Sequence, residues 1–583
     1  MNGADILIKS LEDLGIERIF GYSGAAILPV FHSLGTSSIK ISVSSNEQSC
    51  AFGAAGMSRA GNRVGVAIVT SGPAITNTLT AVADSNADSI PLLVFAGQVS
   101  SGKMGTDEFQ HIDVSGVFAK AAKKVILLTD VKDIETVVKD AYYYAKSGKP
   151  GPVVIDFPMD VQVGTGEYKG IEPSVFHKKY EDERHLGDNQ CREFFKLLSF
   201  AKRPLLYIGG GLNNQKASEL IRELNNLFGI PSINSLMGKG ILDESLETSL
   251  GMLGMYGTPY ANKAIQETDL FIGMGIRWDD RVAQKVGESG LNADIAYIDI
   301  NPIKVQEVRA SRYPKFSFIG DAATAIEDLL SYTKKNPMQL NIDDWQQRVI
   351  NIKNEMRLSY DMESPIIQQA EVVAALSEIL PDNIRLTTGV GNHQMLAGQY
   401  LKIKNPRSFI TSGGFGTMGF ALPTAIGVYV ADPSATVLAI DGDSSMRMNM
   451  GELYTIGTRK LPIKVLVMNN KSAGMVRNIQ TARYEGRIVA TEEPENNVSY
   501  ANIARECGFS WTMKVEKRTE LQETLGQFLA VDGSSFLEVI TDREEVVYPV
   551  IAPGKGYIDM ETGPYIKCKS AVNSNPQALP TVI

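Results

Sequence analysis

With 583 residues the chain has room for three or four domains of about 150 residues each. Hydrophobic residues at 44% and charged residues at 21% describe a globular protein with ample core, and the net charge of −9 argues against general nucleic-acid binding, which needs a basic face. Four cysteines (Cys50, Cys191, Cys507, Cys568) with no CxxC pair, and only five histidines, indicate neither a zinc site, a disulfide framework nor a histidine-rich metal centre.

The N-terminal stretch MNGADILIKSLEDLGIERIF predicts a helix leading to a strand, too acidic and too interrupted for a signal or transit peptide. No run approaches the roughly eighteen apolar residues of a membrane span. The chain is therefore expected to be soluble and cytoplasmic, with no membrane or nucleic-acid partner; a transit peptide already removed is the open alternative. Residues 1–165 alternate helical patterns with the apolar runs IERIFGY, IKISVSS, GVAIVT, PLLVFAG, KKVILL and GPVVIDFP, which calls for a parallel sheet covered on both faces. Residues 166–189 are charged and read as a linker. A second α/β segment, 190–335, carries PLLYIG, LFIGMG, IAYIDI and FSFIGD; a polar helical passage, 336–365, leads to a third, 366–548, with IRLTTGVG, SFITSGG, TVLAIDGD, IKVLVMNN and SFLEVIT. Residues 549–583, rich in Pro, Gly and Lys, read as a tail or lid. The predicted fold class is α/β, with three doubly wound parallel-sheet domains of which the first and third share the same alternation.

The densest chemistry lies in Thr436–Gly474. Two short apolar runs, VLAI and VLVM, read as buried parallel strands, joined through a Gly-Asp-Ser-Ser turn and a crossover helix with Met448, Leu453 and Ile456 on one face. Asp443 and Asn470 would then stand at the carboxyl ends of neighbouring strands, where open α/β sheets bind ligands. One carboxylate and one amide oxygen beside free backbone N–H groups suit Mg²⁺ with a diphosphate, because magnesium takes few protein oxygens and fills its octahedron from phosphate and water. In the first segment, SSNEQSCAFGAAGMSRAG follows a strand and places Glu47 near a helix start, where a carboxylate is ordinarily a cap.

Gly442-Asp443, 25 intervening residues, then Asn469-Asn470 resembles the thiamin-diphosphate motif. Over nearly its whole length the chain resembles the catalytic subunit of acetohydroxyacid (acetolactate) synthase, in the pyruvate oxidase-like superfamily. The resemblance rests on TSGPAITN, GTDEFQHIDV, MLGMYGTPYAN, GIRWDDRV, GVGNHQM, SGGFGTMGFALPTAIG and GMV. It implies a pyrimidine-binding first domain, a central FAD-binding-type domain and a diphosphate- and Mg²⁺-binding third domain. It further implies decarboxylation of pyruvate and transfer of the hydroxyethyl unit to an acceptor carbonyl, giving 2-acetolactate when the acceptor is pyruvate. By the same resemblance Glu47 contacts the aminopyrimidine N1′ of a cofactor on a partner chain, in a homodimer or homotetramer with sites at the dimer interface. Gly391, His393, Gln394, Gly442, Ser444, Ser445, Gly474 and Met475 would hold the rest of the cofactor. Asp443, Asn470 and the Ser472 carbonyl would bind the metal. Met418 would wedge between the rings, the Gly416 carbonyl would accept from the 4′-amino group, and Phe109 and Gln110 would line the substrate channel. Gly209, Gly210, Gly211, Arg277, Asp299, Ile300, Asp321 and Ala322 match positions that contact a structural FAD, and Arg281 would bind the carboxylate of the acceptor. Without the resemblance, Met418 reads as core filler and Asp299 and Asp321 as solvated strand-end turns.

Departures cluster near the channel. Arg477-Asn478-Ile479 stands where a residue, Gln and Trp are usual; Met159, Ser100-Ser101, Glu108, Ala25, Ala74 and Asn46 also depart, as do Tyr256 and Trp278. Ile479 in place of Trp opens space and Arg477 adds positive charge. This leaves open a bulkier anionic acceptor, such as a nucleotide-linked keto-sugar, beside the 2-keto acid; a pyruvate oxidase with redox-active FAD is the second alternative.

Overall fold

The computed structural model describes residues 1–278, 293–494, 498–552 and 554–566. Among the described residues eighteen strands form three six-stranded sheets, and every strand pairing is parallel. The first sheet comprises β1 (Arg18–Gly21), β2 (Lys40–Ser42), β3 (Gly65–Val69), β4 (Leu92–Gln98), β5 (Lys124–Leu127) and β6 (Pro152–Pro158), in the order β2-β1-β3-β4-β6-β5. The second comprises β7 (Pro204–Ile208), β8 (Ser232–Asn234), β9 (Ser249–Met252), β10 (Leu270–Met274), β11 (Asp294–Asp299) and β12 (Phe316–Ile319), in the order β12-β11-β10-β7-β8-β9. The third comprises β13 (Ile384–Thr388), β14 (Phe409–Thr411), β15 (Thr436–Gly442), β16 (Ile463–Asn469), β17 (Trp511–Val515) and β18 (Ser535–Ile540), in the order β14-β13-β15-β16-β18-β17. The first and third orders are the same when renumbered from one. The second, read from β9, is the 3-2-1-4-5-6 order of dinucleotide-binding sheets.

The apolar runs read from the sequence all become strands. Three strands carry no such run: β8 and β9 are short and rich in Ser, Asn and Gly, and β17 is an edge strand with several exposed positions. Another departure concerns the crossover between β15 and β16. In place of one helix there are two, broken at 449–451, and Met448 is exposed while Leu453 and Ile456 are fully buried. The break lets Asn449 turn inward, where its Nδ2 donates to the Gly419 carbonyl at 2.8 Å.

The helices that carry or support the site are α1 (Glu47–Ala60), α2 (Leu79–Ala87), α3 (Asn392–Tyr400), α4 (Ala421–Ala431), α5 (Asp443–Met448), α6 (Glu452–Thr458) and α7 (Gly474–Arg483). α1 of the first domain packs directly on α4 of the third, so that one hydrophobic core draws from both: Cys50, Phe52 and Met57 lie with Phe420, Leu422 and Ile426. The contact depends on small residues. A Cβ on Gly427 would lie 1.9 Å from the Gly53 carbonyl oxygen, and one on Gly56 would lie 2.4 Å from that of Thr424. Gly427→Ala should therefore force the helices apart and lower stability by about 1–3 kcal/mol, the usual cost of overpacking, measured as a fall in the thermal midpoint; an unchanged midpoint would refute this account of the contact.

Candidate active site

The third sheet reverses its strand order between β13 and β15, the place where such sheets bind ligands. The turns leaving β13, β15 and β16 meet there. A Cβ at Gly389 would lie 1.8 Å from Asp441 Oδ1 and 2.5 Å from Ser445 Oγ; one at Gly442 would lie 2.8 Å from His393 Nδ1; one at Gly474 would lie 2.7 Å from Asn470 Nδ2 and 2.8 Å from Asn392 Nδ2. The glycines thus make room for polar side chains to converge. Gly391, at φ +156°, precedes α3, which brings Asn392, His393 and Gln394 inward.

Those side chains are buried and incompletely bonded. Asn392 Oδ1 and Nδ2, His393 Nε2, Gln394 Oε1, Asp441 Oδ2 and Asp443 Oδ2 are buried with no hydrogen-bond partner in the protein. Six such atoms in one place, at about 1–3 kcal/mol each, would cost on the order of the whole stability of a domain. The arrangement calls for a polar ligand. Burial pushes the Asp443 carboxyl up to about 7, with Arg447 opposing it; a cation would return the group to its ionised form. Asn470 Oδ1 accepts from Ser472 N at 3.1 Å, and Ser472 Oγ donates to the Thr491 carbonyl at 2.8 Å. Among the described residues no three His, Cys, Asp or Glu cluster as a metal centre. A lone carboxylate and an amide beside a diphosphate would suffice for magnesium. Asn392 and Asp441 were not singled out from the sequence; their neighbours in GVGNHQM and AIDGD were, and only burial separates them from ordinary turn residues.

In the first domain the cap of α1 is Asn46, whose Oδ1 accepts from Ser49 N at 2.8 Å. Glu47 is thereby released from the capping role, and Asn77 Nδ2 donates to its Oε2 at 2.8 Å. The start of α1 is docked on the third domain: Ser45 N donates to Glu452 Oε1 at 2.8 Å and Ser45 Oγ to the Gly451 carbonyl at 2.7 Å. Gln110 holds a positive φ of 60° against Gly72, where a Cβ would meet it at 2.9 Å; Phe109 beside it is 83% exposed. Gly416 has φ +73°, and Met418 is half-buried in the same loop.

In the second sheet Gly209 and Gly211 follow β7 at the point where the order reverses, packed so closely that a Cβ on Gly209 would lie 2.0 Å from the Gly275 carbonyl oxygen. Gly210 faces Met237 and Ala322 is buried. Asp299 is buried rather than solvated, which pushes its carboxyl up to about 6; Ile300 is half-buried after it. Asp321 follows its strand as the N-cap of the next helix, its Oδ1 accepting from Thr324 N at 3.0 Å. Arg277 Nη1 donates to the Ala87 carbonyl at 2.6 Å, tying the second domain to the first. Arg281 lies outside the described residues.

One expectation is corrected. Arg477 was read as adding positive charge beside the acceptor. Its guanidinium is instead buried and neutralised, Nε donating to Glu492 Oε1 at 2.8 Å and Nη1 to Glu544 Oε2 at 2.9 Å. Ile479, Met475 and Asn478 are half-buried along α7.

Comparison with known proteins agrees with this geometry. Residues 1–117, 191–329 and 389–539 match the N-terminal binding domain, the central domain and the C-terminal binding domain of thiamine pyrophosphate enzymes. Over 96% of its length the chain is 37% identical to the acetolactate synthase large subunit of Porphyra purpurea, covering 95% of that protein. It is 35% identical to the large subunit of acetolactate synthase isozyme 2 of Escherichia coli K12 over 96% of this chain and 99% of that one, and 37% identical to the acetolactate synthase of Arthrospira platensis over 96% and 97%. The three-sheet chain with its converging polar turns is thus a thiamine pyrophosphate enzyme. Within that class it belongs to the acetolactate synthase large-subunit family.

Since Glu492 and Glu544 are partly exposed, Arg477→Met should cost only about 1 kcal/mol of stability, and Arg477→Lys, which lacks the planar fork, should recover less than half of it. Chemical denaturation decides; a loss of several kcal/mol would contradict the exposure of these partners.

Proposed function

We propose that the chain decarboxylates pyruvate and transfers the two-carbon unit to the carbonyl of a second 2-keto acid, forming 2-acetolactate when that acceptor is pyruvate. The observation that carries this reading is the set of unpartnered buried polar atoms where β13, β15 and β16 end, in a chain similar throughout to acetolactate synthases. That similarity favours a keto-acid acceptor over a nucleotide-linked keto-sugar and over a pyruvate oxidase.

His393, Gln394 and Asn392, with the α5 start at Gly442, Ser444 and Ser445, fit a diphosphate; Asp443, Asn470 and the Ser472 carbonyl fit Mg²⁺; Gly474 and Met475 lie beside them. When bound, thiamin diphosphate supplies the nucleophilic carbon and the electron sink for decarboxylation. Glu47 holds a proton at the pyrimidine N1′, the one acid–base task the reading gives to a side chain. Met418 and the Gly416 carbonyl orient the rings, and Gln110 and Phe109 border the channel. Binding of the acceptor carboxylate falls to Arg281.

The reading extends to a second copy of the chain, with Glu47 of one copy serving the cofactor of the other. Its support is a set of large apolar side chains left exposed on this chain: Phe109, Phe415 (53%), Met448 (58%) and Tyr454 (65%). It also extends to FAD in the second domain, supported by the dinucleotide strand order and the glycine contact at its reversal.

Three measurements follow. Glu47→Gln should keep thiamin diphosphate affinity within a few-fold by equilibrium dialysis and lose roughly 10²- to 10⁴-fold in turnover; an active variant removes Glu47 from the chemistry. Mixing Glu47→Gln chains with Asp443→Asn chains, each inactive alone, should restore acetolactate formation from pyruvate only if the two residues of one site come from different copies. Heat-released supernatant of the purified protein should carry a flavin spectrum, and a colourless, fully active preparation rejects FAD.

A further inference from the structure

Residues 411–419 carry Gly416 and Met418, and the anchors of this glycine-rich segment lie on the first domain. Asp84 and Asp88 stand four residues apart at the end of α2, and so face the same way. Asp84 Oδ2 accepts from the Ser412 hydroxyl and from Thr417 Oγ1, the latter at 2.9 Å. Asp88 accepts two consecutive backbone N–H groups, Gly413 at 3.0 Å and Gly414 at 2.6 Å. Two buried carboxylates this close would repel each other, and Arg59, at the far end of α1 from Glu47, lies between them. Its Nη2 is 2.6 Å from Asp84 Oδ1, and its Nη1 is 3.1 Å from Asp88 Oδ2 and donates to the Thr411 carbonyl at 3.1 Å. The guanidinium also lies 5.0 Å from the centre of the Phe420 ring. Within the segment Thr417 N donates to Ser412 Oγ at 2.8 Å, and Gly419 N reaches Ser445 Oγ at 3.0 Å. The loop is therefore fixed at 411–414, 417 and 419, and between these anchors come Phe415, Gly416 and Met418.

We propose that Asp84 and Asp88, braced by Arg59, are positioning residues for the reaction: from the first domain they set the loop that presents the Gly416 carbonyl and the Met418 side chain to the cofactor. The inference rests on the assignment of Gly416 and Met418 made under the proposed function. Its physical basis is that neither residue can hold its own place. Gly416 and Gly419 both sit at positive φ, where glycine moves freely, and a methionine side chain has three rotatable bonds. Charge-assisted hydrogen bonds to adjacent N–H groups supply the stiffness that the loop's sequence lacks.

Asp88→Asn is the direct test, because an amide has one acceptor oxygen for two backbone donors and turns its own N–H toward one of them. Thiamin diphosphate affinity, carried by the turns after β13 and β15, should stay within about threefold by equilibrium dialysis, while kcat falls roughly 10- to 100-fold, the scale of a misplaced reacting geometry. Hydrogen exchange at Gly413 and Gly414 should quicken. Ser412→Ala and Thr417→Val, made from the loop side, should show the same loss confined to kcat, and Ser412→Ala should not add to Asp84→Asn. Glu135→Gln, at the buried pair with Lys139 in the first domain, is the control: it should lower the thermal midpoint and leave kcat unchanged. The inference is overturned if Asp88→Asn and Ser412→Ala keep kcat within about twofold, if affinity and kcat fall together, or if Glu135→Gln matches their loss. Should Asp88→Asn not fold, the two loop-side variants decide by the same criteria. A wild type that binds no thiamin diphosphate would overturn the functional reading, and this one with it; normal wild-type binding with unaffected variants overturns this one alone.

Discussion

The structure depends on how closely α1 and α4 approach. Gly56 and Gly427 let backbone touch backbone across the boundary between the first and third domains, and the apolar side chains on either side then close into one core. Each of these domains has a further core of its own, so the shared one is additional. Its effect is to fix one domain's orientation on the other. Glu47 and Arg59 are both on α1, so the contact also places the carboxylate at one end of that helix and the arginine at the other.

Around this contact the protein retains groups that apolar packing would exclude. Asp84 and Asp88 are buried beside Arg59, and burial pushes the Asp84 carboxyl up to about 6 against the pull of the guanidinium. A buried charge is tolerated when its hydrogen-bonding capacity is filled, and here it is filled by the loop that carries Gly416 and Met418. The atoms at the ends of β13 and β15 are the opposite case, since their capacity is unfilled by protein. The Asp84 and Asp88 oxygens are satisfied by the fold, while the Asp441 and Asp443 Oδ2 atoms have no hydrogen-bond partner in the protein.

Much of this was legible in the sequence. The strands with unbroken apolar runs, the three-domain order and the Asp443–Asn470 spacing all follow from periodicity and turn residues, because parallel strands buried on both faces leave few choices. The misses have physical causes. β8, β9 and β17 lack apolar runs because they are short or lie at a sheet edge. Met448 was placed on a helix face by its spacing, and a break at 449–451 turned it out. Arg477 could be read as a charge, but its partners Glu492 and Glu544 lie 15 and 67 residues away, which spacing cannot show. Asp84 and Asp88 look like ordinary helix-surface acids, and only the arrival of residues 411–417 from the far end of the chain gives them a purpose. Asp321 ends its strand in a turn, as its local pattern suggested, but its role as the cap of the following helix was not read from the sequence.

The identical strand order of the first and third sheets, with a whole domain between them, bears on how the chain is made. α1 ends at residue 60 and its partner α4 begins at residue 421, so about 360 residues are synthesised before the first can meet the second. At cellular rates of 5–20 residues per second this is roughly 20–70 seconds. Throughout that interval the small-residue face of α1 is finished but uncovered. The third sheet cannot close sooner than its end either, since β18 inserts between β16 and β17. A nascent chain of this design keeps the α1 face without its folded-state partner until α4 has been made.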